Sequence, residues 1–307
     1  MLRIFGILSI LCASSHAVAQ QDAMFTQYMF NPLLINPAYA GSQDNLNLTA
    51  LSRVQWTGIE GAPITHTLSG HSLLKNKINA VGGNIVYDQL GVTKQTSVLG
   101  VFSHRIFLKK ATLSMGLQAG FTSINSRLST LNVKNNEDDV FTSNDISGFM
   151  PNFGFGLFYY AERYYLGLST PRFVNNLLKR SVAISDARQQ RHYFLAGGYV
   201  FPLSDNLELK PNFLVKMVEG APIQVDLNAN ILIKKLIWLG VSYRSFESVD
   251  LIAELNVKPN IRIGYSYDIG INALRQFNSG SHELMINYEF SKEKEKVNAK
   301  PYTPRYF

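Results

Sequence analysis

The sequence has little cysteine, few charged residues and no long apolar run beyond its first twenty residues. The single cysteine, Cys12, excludes a disulfide framework within one chain and a thiolate metal site. A transmembrane helix needs about 20 consecutive apolar residues, and no later stretch reaches that length. Charged residues make up 17% of the chain, and no stripe of Lys or Arg indicates a nucleic-acid surface. Nucleic-acid-binding, disulfide-rich and helical membrane classes are therefore excluded.

Residues 1–19 have the pattern of a secretory signal peptide. Arg3 supplies the positive start, Phe5–Ala13 an apolar core too short to span a bilayer, and Ala17–Ala19 a small-residue cleavage site. A lipoprotein signal at Cys12 is disfavoured because Leu11 is bulky where a small residue is needed. An exported chain without a transmembrane helix is either a soluble periplasmic protein or an outer-membrane β-barrel.

Hydrophobicity alternates with a period of two across residues 46–290. The stretch Ile261–Ile269 places Ile and Tyr side chains on one face and puts Arg262 and Asp268 on the other. Charged groups on one face do not suit a sandwich core, whereas lipid outside and a wet lumen inside explain both faces. We predict fourteen strands, at 46–55, 64–74, 80–88, 94–107, 111–124, 151–160, 163–170, 191–202, 206–218, 223–234, 236–246, 249–258, 261–270 and 282–290.

The lengths of the connections alternate along the chain. If the chain enters from the periplasm, the even-numbered connections face the periplasm, and in the sequence these are short. Three odd-numbered connections are long, at 125–150, 171–190 and 270–281. Short periplasmic turns opposite long extracellular loops are typical of outer-membrane barrels, and a soluble sandwich has no reason to sort its loops this way. The predicted fold is therefore all-β, a transmembrane outer-membrane β-barrel of about 14 antiparallel strands.

No motif in the sequence predicts catalysis, a metal or a cofactor. Neither His-x-His nor HExxH spacing occurs, and there is no P-loop. The acidic run 135–139 lacks the ligand spacing of a calcium loop, and we interpret it as a solvated loop tip. The interior carboxylates Asp226, Glu254 and Asp268 with Ser266 leave an outer-membrane hydrolase as a third alternative, although lumen polarity is their ordinary explanation. We predict a protein that is not an enzyme.

Two motifs, one near each end of the exported chain, resemble those of a known family. The first runs from Gln27 to the stretch INPAYAG at Ile35–Gly41, and the second combines Gly280–Glu283 with a terminal PRYF. Together they resemble the PorP/SprF family of type IX secretion system membrane proteins, with the loops 125–150 and 171–190 unmatched. The motif residues are Gln27, Tyr28, Asn31, Pro32, Asn36, Pro37, Ala38, Tyr39 and Gly41 near the start, and His282, Glu283, Pro304, Arg305, Tyr306 and Phe307 near the end.

The resemblance implies an outer-membrane barrel that serves the secretion of large surface adhesins carrying a C-terminal sorting domain, often tied to gliding motility. It implies contacts with the secreted cargo, with periplasmic or peptidoglycan-linked secretion components and with outer-membrane lipid. No catalytic residue, cofactor or nucleic acid is implied. A diffusion porin or small-solute channel remains the principal alternative, because a barrel fold does not by itself determine function.

The segment 20–45 is apolar but contains two Asn-Pro steps, which exclude a central strand. We expect it on the periplasmic side, tucked into the mouth of the barrel, with Asn31 and Asn36 bonded to nearby backbone. It either caps the barrel or docks a partner. The polar tail 291–307 is expected in the periplasm, where it either contacts a partner or is inert. The side chains that the segment is expected to bury are Phe25, Tyr28, Phe30, Leu33, Leu34 and Tyr39.

Overall fold

A computed structural model describes residues 24–130, 145–173, 191–219 and 221–290. These residues form a closed, antiparallel barrel of fourteen strands, as the alternation predicts. Within these ranges no helix is long and apolar enough to cross a membrane. The predicted signal peptide and the predicted tail 291–307 lie outside the described residues.

Each predicted strand is present, and most bounds agree within two residues. The eighth strand is interrupted at Val200, and both of its parts pair with the ninth. The sixth begins earlier than predicted, because Ile146–Met150 continue the pairing with the fifth strand. The strands are β1 Leu46–Val54, β2 Ile64–Leu73, β3 Asn79–Leu90, β4 Thr93–Phe107, β5 Thr112–Ser126, β6 Ile146–Tyr160, β7 Tyr164–Arg172, β8 His192–Tyr199 continuing as Phe201–Ser204, β9 Leu207–Val218, β10 Gln224–Ile233, β11 Ile237–Arg244, β12 Ser248–Lys258, β13 Ile261–Gly270 and β14 Ser281–Phe290.

Every strand pairs with its neighbours in sequence, and β1 pairs with β14 to close the barrel. The closing register places Leu46 opposite Phe290 and Val54 opposite His282. Closure leaves no exposed sheet edge and satisfies the backbone groups that would otherwise face lipid. The first and last strands of the chain therefore lie side by side.

The two faces of the sheet divide as the alternation predicts. On β13, Ile263 and Tyr265 are exposed on the outer surface, whereas Ser266 and Asp268 are buried inside. On β10, Leu227 is exposed and Asp226 is buried. Outward apolar side chains suit the hydrocarbon of a bilayer, and polar side chains line the interior. The prediction of a lipid-facing and a lumen-facing set is confirmed.

The connections define two different ends of the barrel. The end that carries the connections after β1, β3 and every later odd strand holds the long segments 127–145, 173–191 and 271–280, and we name it the loop end. The opposite end, named the turn end, has connections of a few residues, such as 205–206 and 259–260. The sorting of long and short connections follows the prediction.

Residues 24–45 lie inside the barrel and are named the plug segment. They run from the ion pairs near the loop end to the turn end, where Asn45 leads into β1. Phe25, Tyr28, Phe30, Leu33 and Tyr39 are buried, and Leu34 is partly buried against them. The expected position at the mouth is therefore too shallow. Because the wall offers buried apolar side chains such as Phe158 and Trp238 as well as polar partners, it can hold the segment far from the end at which it enters.

Candidate functional site

The plug segment contains two short 3-10 helices, Pro32–Leu34 and Pro37–Tyr39, each of which begins at a proline. Proline suits the first position of a helix because its missing N–H has no partner there in any case. The Asn36 side chain caps the second helix by accepting the N–H of Ala38 at 2.9 Å. Asn31 makes no such cap and donates to the Ser69 hydroxyl on β2 instead. The expected local bond is thus confirmed for Asn36 and wrong for Asn31.

At the turn end the plug segment is held by two basic side chains of the wall. Gly41 has a φ of +78°, which favours glycine, and its N–H donates to His71 Nδ1 at 3.2 Å. Its carbonyl accepts from Arg105 at 2.9 Å. The Tyr39 ring packs edge-on against Phe158 and His71. Burial raises the pKa of Tyr39 to about 12, so its hydroxyl stays neutral.

In the middle of the barrel, glycines allow the plug segment to approach the wall closely. A side chain at Gly116 would place its Cβ 2.2 Å from the Ala38 nitrogen, and one at Gly156 would place it 2.1 Å from Asn36 Oδ1. The Asn36 amide donates to the Leu157 carbonyl at 2.9 Å, and Ser169 donates to the Ile35 carbonyl at 2.7 Å. The absence of a side chain at Gly116 and Gly156 therefore makes room for the plug segment inside the lumen.

The part of the plug segment between Tyr28 and Leu33 contacts opposite sides of the wall. Tyr28 accepts a hydrogen bond from Asn228 on β10 at 2.6 Å, and the Leu33 carbonyl accepts from Asn84 on β3 at 3.3 Å. Phe30 packs on Trp238 with ring centroids 6.3 Å apart. Burial raises the pKa of the Tyr28 hydroxyl well above its usual range, so it remains a neutral partner for the amide. The segment thus bridges the lumen from wall to wall.

Near the loop end, Thr26 and Gln27 bind the last strand. The Glu283 carboxylate accepts the N–H of Thr26 at 3.0 Å and that of Gln27 at 2.8 Å. The Gln27 amide donates to the Glu283 carbonyl at 3.2 Å. The Thr26 hydroxyl donates to Asp268 at 2.8 Å and accepts from Arg53 at 3.0 Å. The N-terminal motif and the C-terminal motif therefore meet directly at Gln27 and Glu283.

A set of charged side chains surrounds Thr26, and we name it the belt. Its members come from six consecutive strands, and each is no more than 4% exposed. Arg53 pairs with Asp268 at 2.7 Å and with Glu283 at 3.2 Å. Arg244 pairs with Asp226 at 3.1 Å. The belt consists of Arg53, Asp226, Arg244, Asp250, Asp268 and Glu283, which is four carboxylates against two guanidinium groups.

Sequence reasoning identified Glu283 as a motif residue and Asp226 and Asp268 as interior groups, but it missed Arg53 and Arg244. Both arginines occupy lumen-facing positions in the alternation of their strands, and that signal was available. Their partners depend on strand register, which the sequence does not give. A charged side chain that the alternation assigns to the lumen is therefore a useful indication of an ion pair inside the barrel.

The other motif residues are not all brought together. His282 points outward on β14, where its ring nitrogen lies 2.7 Å from the Tyr265 hydroxyl, so it does not contact the plug segment. Pro304, Arg305, Tyr306 and Phe307 lie outside the described residues. Among the described residues, no group of three or more His, Cys, Asp or Glu side chains could hold a metal ion. The polar contacts at the belt hold a peptide segment in place.

Solved barrels share this fold at low sequence identity. The CymD monoaromatic hydrocarbon channel is 11% identical, with a TM-score of 0.52, and the match covers 88% of this chain and 94% of that chain. Omp33 of Acinetobacter baumannii is 9% identical, with a TM-score of 0.47, covering 81% of this chain and 100% of that one. The likeness to CymD supports the barrel fold alone. Among curated proteins the chain has no match.

A family model described as "Type IX secretion system membrane protein PorP/SprF" matches residues 17–288, which is most of the chain. The match includes the plug segment and all fourteen strands almost to the end of β14. The family and the closed barrel with its apolar outer surface locate the protein in the outer membrane. The chain belongs to the PorP/SprF family of type IX secretion system membrane proteins.

Proposed function

We propose that this protein is a non-enzymatic, plugged barrel that receives and retains secreted surface proteins at the loop end. The cargo is an adhesin-like protein with a C-terminal sorting domain, and the link to gliding motility belongs to the same proposal. The observation that carries it is the plug segment, which bridges the lumen from β3 to β10. A barrel that is filled in this way suits anchoring better than diffusion.

The plug segment also counts against a diffusion porin. A porin needs a continuous aqueous path, but Gln27, Ala38 and Ala40 are fully buried within the barrel. Buried apolar side chains of the plug segment, such as Met29 and Leu33, occupy part of the lumen and offer no hydrogen bonds to water. These groups are held by wall contacts from several sides, so the closed state is favoured. A protein that receives and retains cargo at the loop end does not need an open lumen.

Exposed apolar side chains at the loop end offer a surface for cargo. The turn between β11 and β12 presents Phe246, which is 75% exposed, and the neighbouring connection 271–280 presents Phe277 at 65%. The two connections are joined by a hydrogen bond from the Ile271 N–H to the Glu247 carbonyl at 2.9 Å. Exposed apolar groups outside a lipid-facing band often mark protein contacts. The turn end, with its short connections, is proposed to face the periplasmic secretion components.

The test compares surface retention of cargo with the conductance of the purified barrel. The double substitution Phe246→Ser with Phe277→Ser is expected to lower retention and co-purification of sorting-domain cargo several-fold, because apolar contact area is lost. Leu108→Ser, at an exposed position of the turn end, is the matched control and should leave retention unchanged. Unchanged cargo retention in the double variant, or a large and persistently open pore in planar bilayers, contradicts the proposal.

A further inference from the structure

The plug segment is bound to the wall as a ligand is bound to a receptor. Within the described residues no hydrogen bond joins a main-chain group of the segment to a main-chain group of a strand. The segment is not paired with any described strand of the sheet. The main-chain hydrogen bonds that the described part of the segment makes with other main-chain groups stay within it, as between the Ser42 N–H and the Tyr39 carbonyl. It therefore fills the lumen without continuing the sheet. Its link to the barrel outside the lumen is the chain connection into β1.

The wall recognises the main chain of the segment through side chains. Carboxylate, hydroxyl, amide, imidazole and guanidinium groups each bind a peptide N–H or carbonyl. Such bonds do not depend on the identity of the bound side chain, so they suit a general peptide site. The recognising side chains are Glu283 for Thr26 and Gln27, Asn84 for Leu33, Ser169 for Ile35, and His71 and Arg105 for Gly41.

The wall also restricts which peptide fits. Ala38 is fully buried, so a larger side chain at this position would have to displace the atoms packed around it. The belt surrounds a small neutral hydroxyl at Thr26. Leu34, by contrast, is only partly buried. The site therefore selects a peptide with a small residue at the position of Ala38 and tolerates change at that of Leu34.

We propose that the lumen wall is a peptide-binding site, that residues 24–43 are its resident ligand in cis, and that a peptide from another chain can replace them. The ligand class is a peptide folded into turns and short 3-10 helices, recognised through its main chain and through side chains such as those of Tyr28 and Asn36. The inference does not rest on the cargo proposal, because the wall contacts are the same whichever protein supplies the peptide. The two proposals can therefore fail separately.

The experiment makes the resident segment exchangeable without preventing folding. A protease site is inserted between Asp44 and Asn45, where Asp44 is exposed, so that the full chain folds before cleavage. After cleavage in detergent, a fluorescent synthetic peptide of residues 24–43 is added, and its anisotropy is followed. Saturable binding is expected for the cleaved barrel, and the uncleaved barrel should bind at least tenfold less because its site is filled in cis.

Peptide variants test the selectivity. The Ala38→Leu peptide should bind at least tenfold more weakly, because Ala38 is fully buried and the added atoms would have to displace the groups packed around it. The Leu34→Ala peptide is the control and should bind within a few-fold of the original. Equal binding of the Ala38→Leu peptide overturns the proposal. So does a cleaved segment that never exchanges while the barrel stays folded, since it would then be a permanent part of the fold.

Two isosteric wall variants separate specific bonds from overall charge. Glu283→Gln removes a carboxylate that accepts two main-chain N–H groups, and it should speed release of the cleaved segment roughly tenfold. Asp250→Asn removes a belt carboxylate that lies 4.0 Å from Arg244 and accepts no main-chain N–H of the plug segment, and it should not speed release. Each variant replaces one buried carboxyl group of the belt with an amide of the same shape. Equal acceleration by both would show that charge alone retains the segment and would overturn backbone recognition.

Discussion

Gln27 and Glu283 are 256 residues apart in the chain, yet the Gln27 N–H donates to the Glu283 carboxylate at 2.8 Å inside the barrel. The second bond between them, from the Gln27 amide to the Glu283 carbonyl, uses the main chain of β14. The pair joins the two motifs that resemble the family at opposite ends of the sequence. Because Glu283 is fully buried, its charge has to be compensated locally, and Arg53 provides the cation.

We predict that Arg53→Met strongly destabilises the barrel. The guanidinium lies 2.7 Å from Asp268 and 3.2 Å from Glu283, so its removal leaves buried carboxylates without their cation. Breaking one partner of a buried pair typically costs about 3–5 kcal/mol. Urea unfolding in detergent micelles, followed by tryptophan fluorescence, measures the free energy of unfolding. Lys94→Met removes an exposed cation and should change it by no more than about 0.5 kcal/mol. Equal losses in the two variants would contradict the role of the belt.

We also predict that a charge on the outer face is tolerated only near a strand end. Leu117, in the middle of β5, is 63% exposed on the surface assigned to lipid. Leu117→Arg should lower the free energy of unfolding in lipid vesicles by about 2–4 kcal/mol, because the guanidinium enters hydrocarbon. Leu90→Arg, at the loop end of β3, should cost about 0–1 kcal/mol. Similar costs at both depths would mean that the outer surface does not face a bilayer.

The orientation of the barrel can be measured with single cysteines. Cys12, the one native cysteine, lies in the predicted signal peptide, so an introduced cysteine is the thiol expected in the exported chain. Gln276→Cys, on an exposed part of the loop end, should react with a membrane-impermeant maleimide on intact cells. Lys109→Cys, exposed at the turn end, should react only after the envelope is permeabilised. The opposite labelling pattern would reverse the assignment of the two ends.

The strands were predictable because lipid and lumen impose their alternation locally, residue by residue. The sixth strand shows the limit of that signal. Its first residues, Ile146–Met150, pair with β5, but nothing in their hydrophobicity alternates clearly enough to reveal it. Where a strand continues past the bilayer, lipid no longer dictates which side chains are apolar. Strand length at the loop end is therefore less visible in the sequence than strand position.

The depth of the plug segment was not predictable for a different reason. Its apolar residues and two Asn-Pro steps indicate burial without a strand, and Tyr28 and Tyr39 are indeed buried. The depth is determined by partners far away in sequence, such as Glu283 for Gln27 and Asn228 for Tyr28. No local pattern specifies such pairs. The sequence indicates that the segment needs an interior, but only the closed barrel specifies how far it extends.

The contact between Thr26, Arg53 and Glu283 has a consequence for the order of assembly. The chain is synthesised from the end that carries Thr26, but the carboxylate that receives it is on β14, the final strand. A barrel that still lacks β14 has neither the pairing with β1 that closes it nor the Glu283 carboxylate that accepts the Thr26 N–H. Thr26 and Gln27 therefore reach their final position only after β14 has joined the wall. A plug segment bound in its final position therefore indicates that all fourteen strands of the wall are in place.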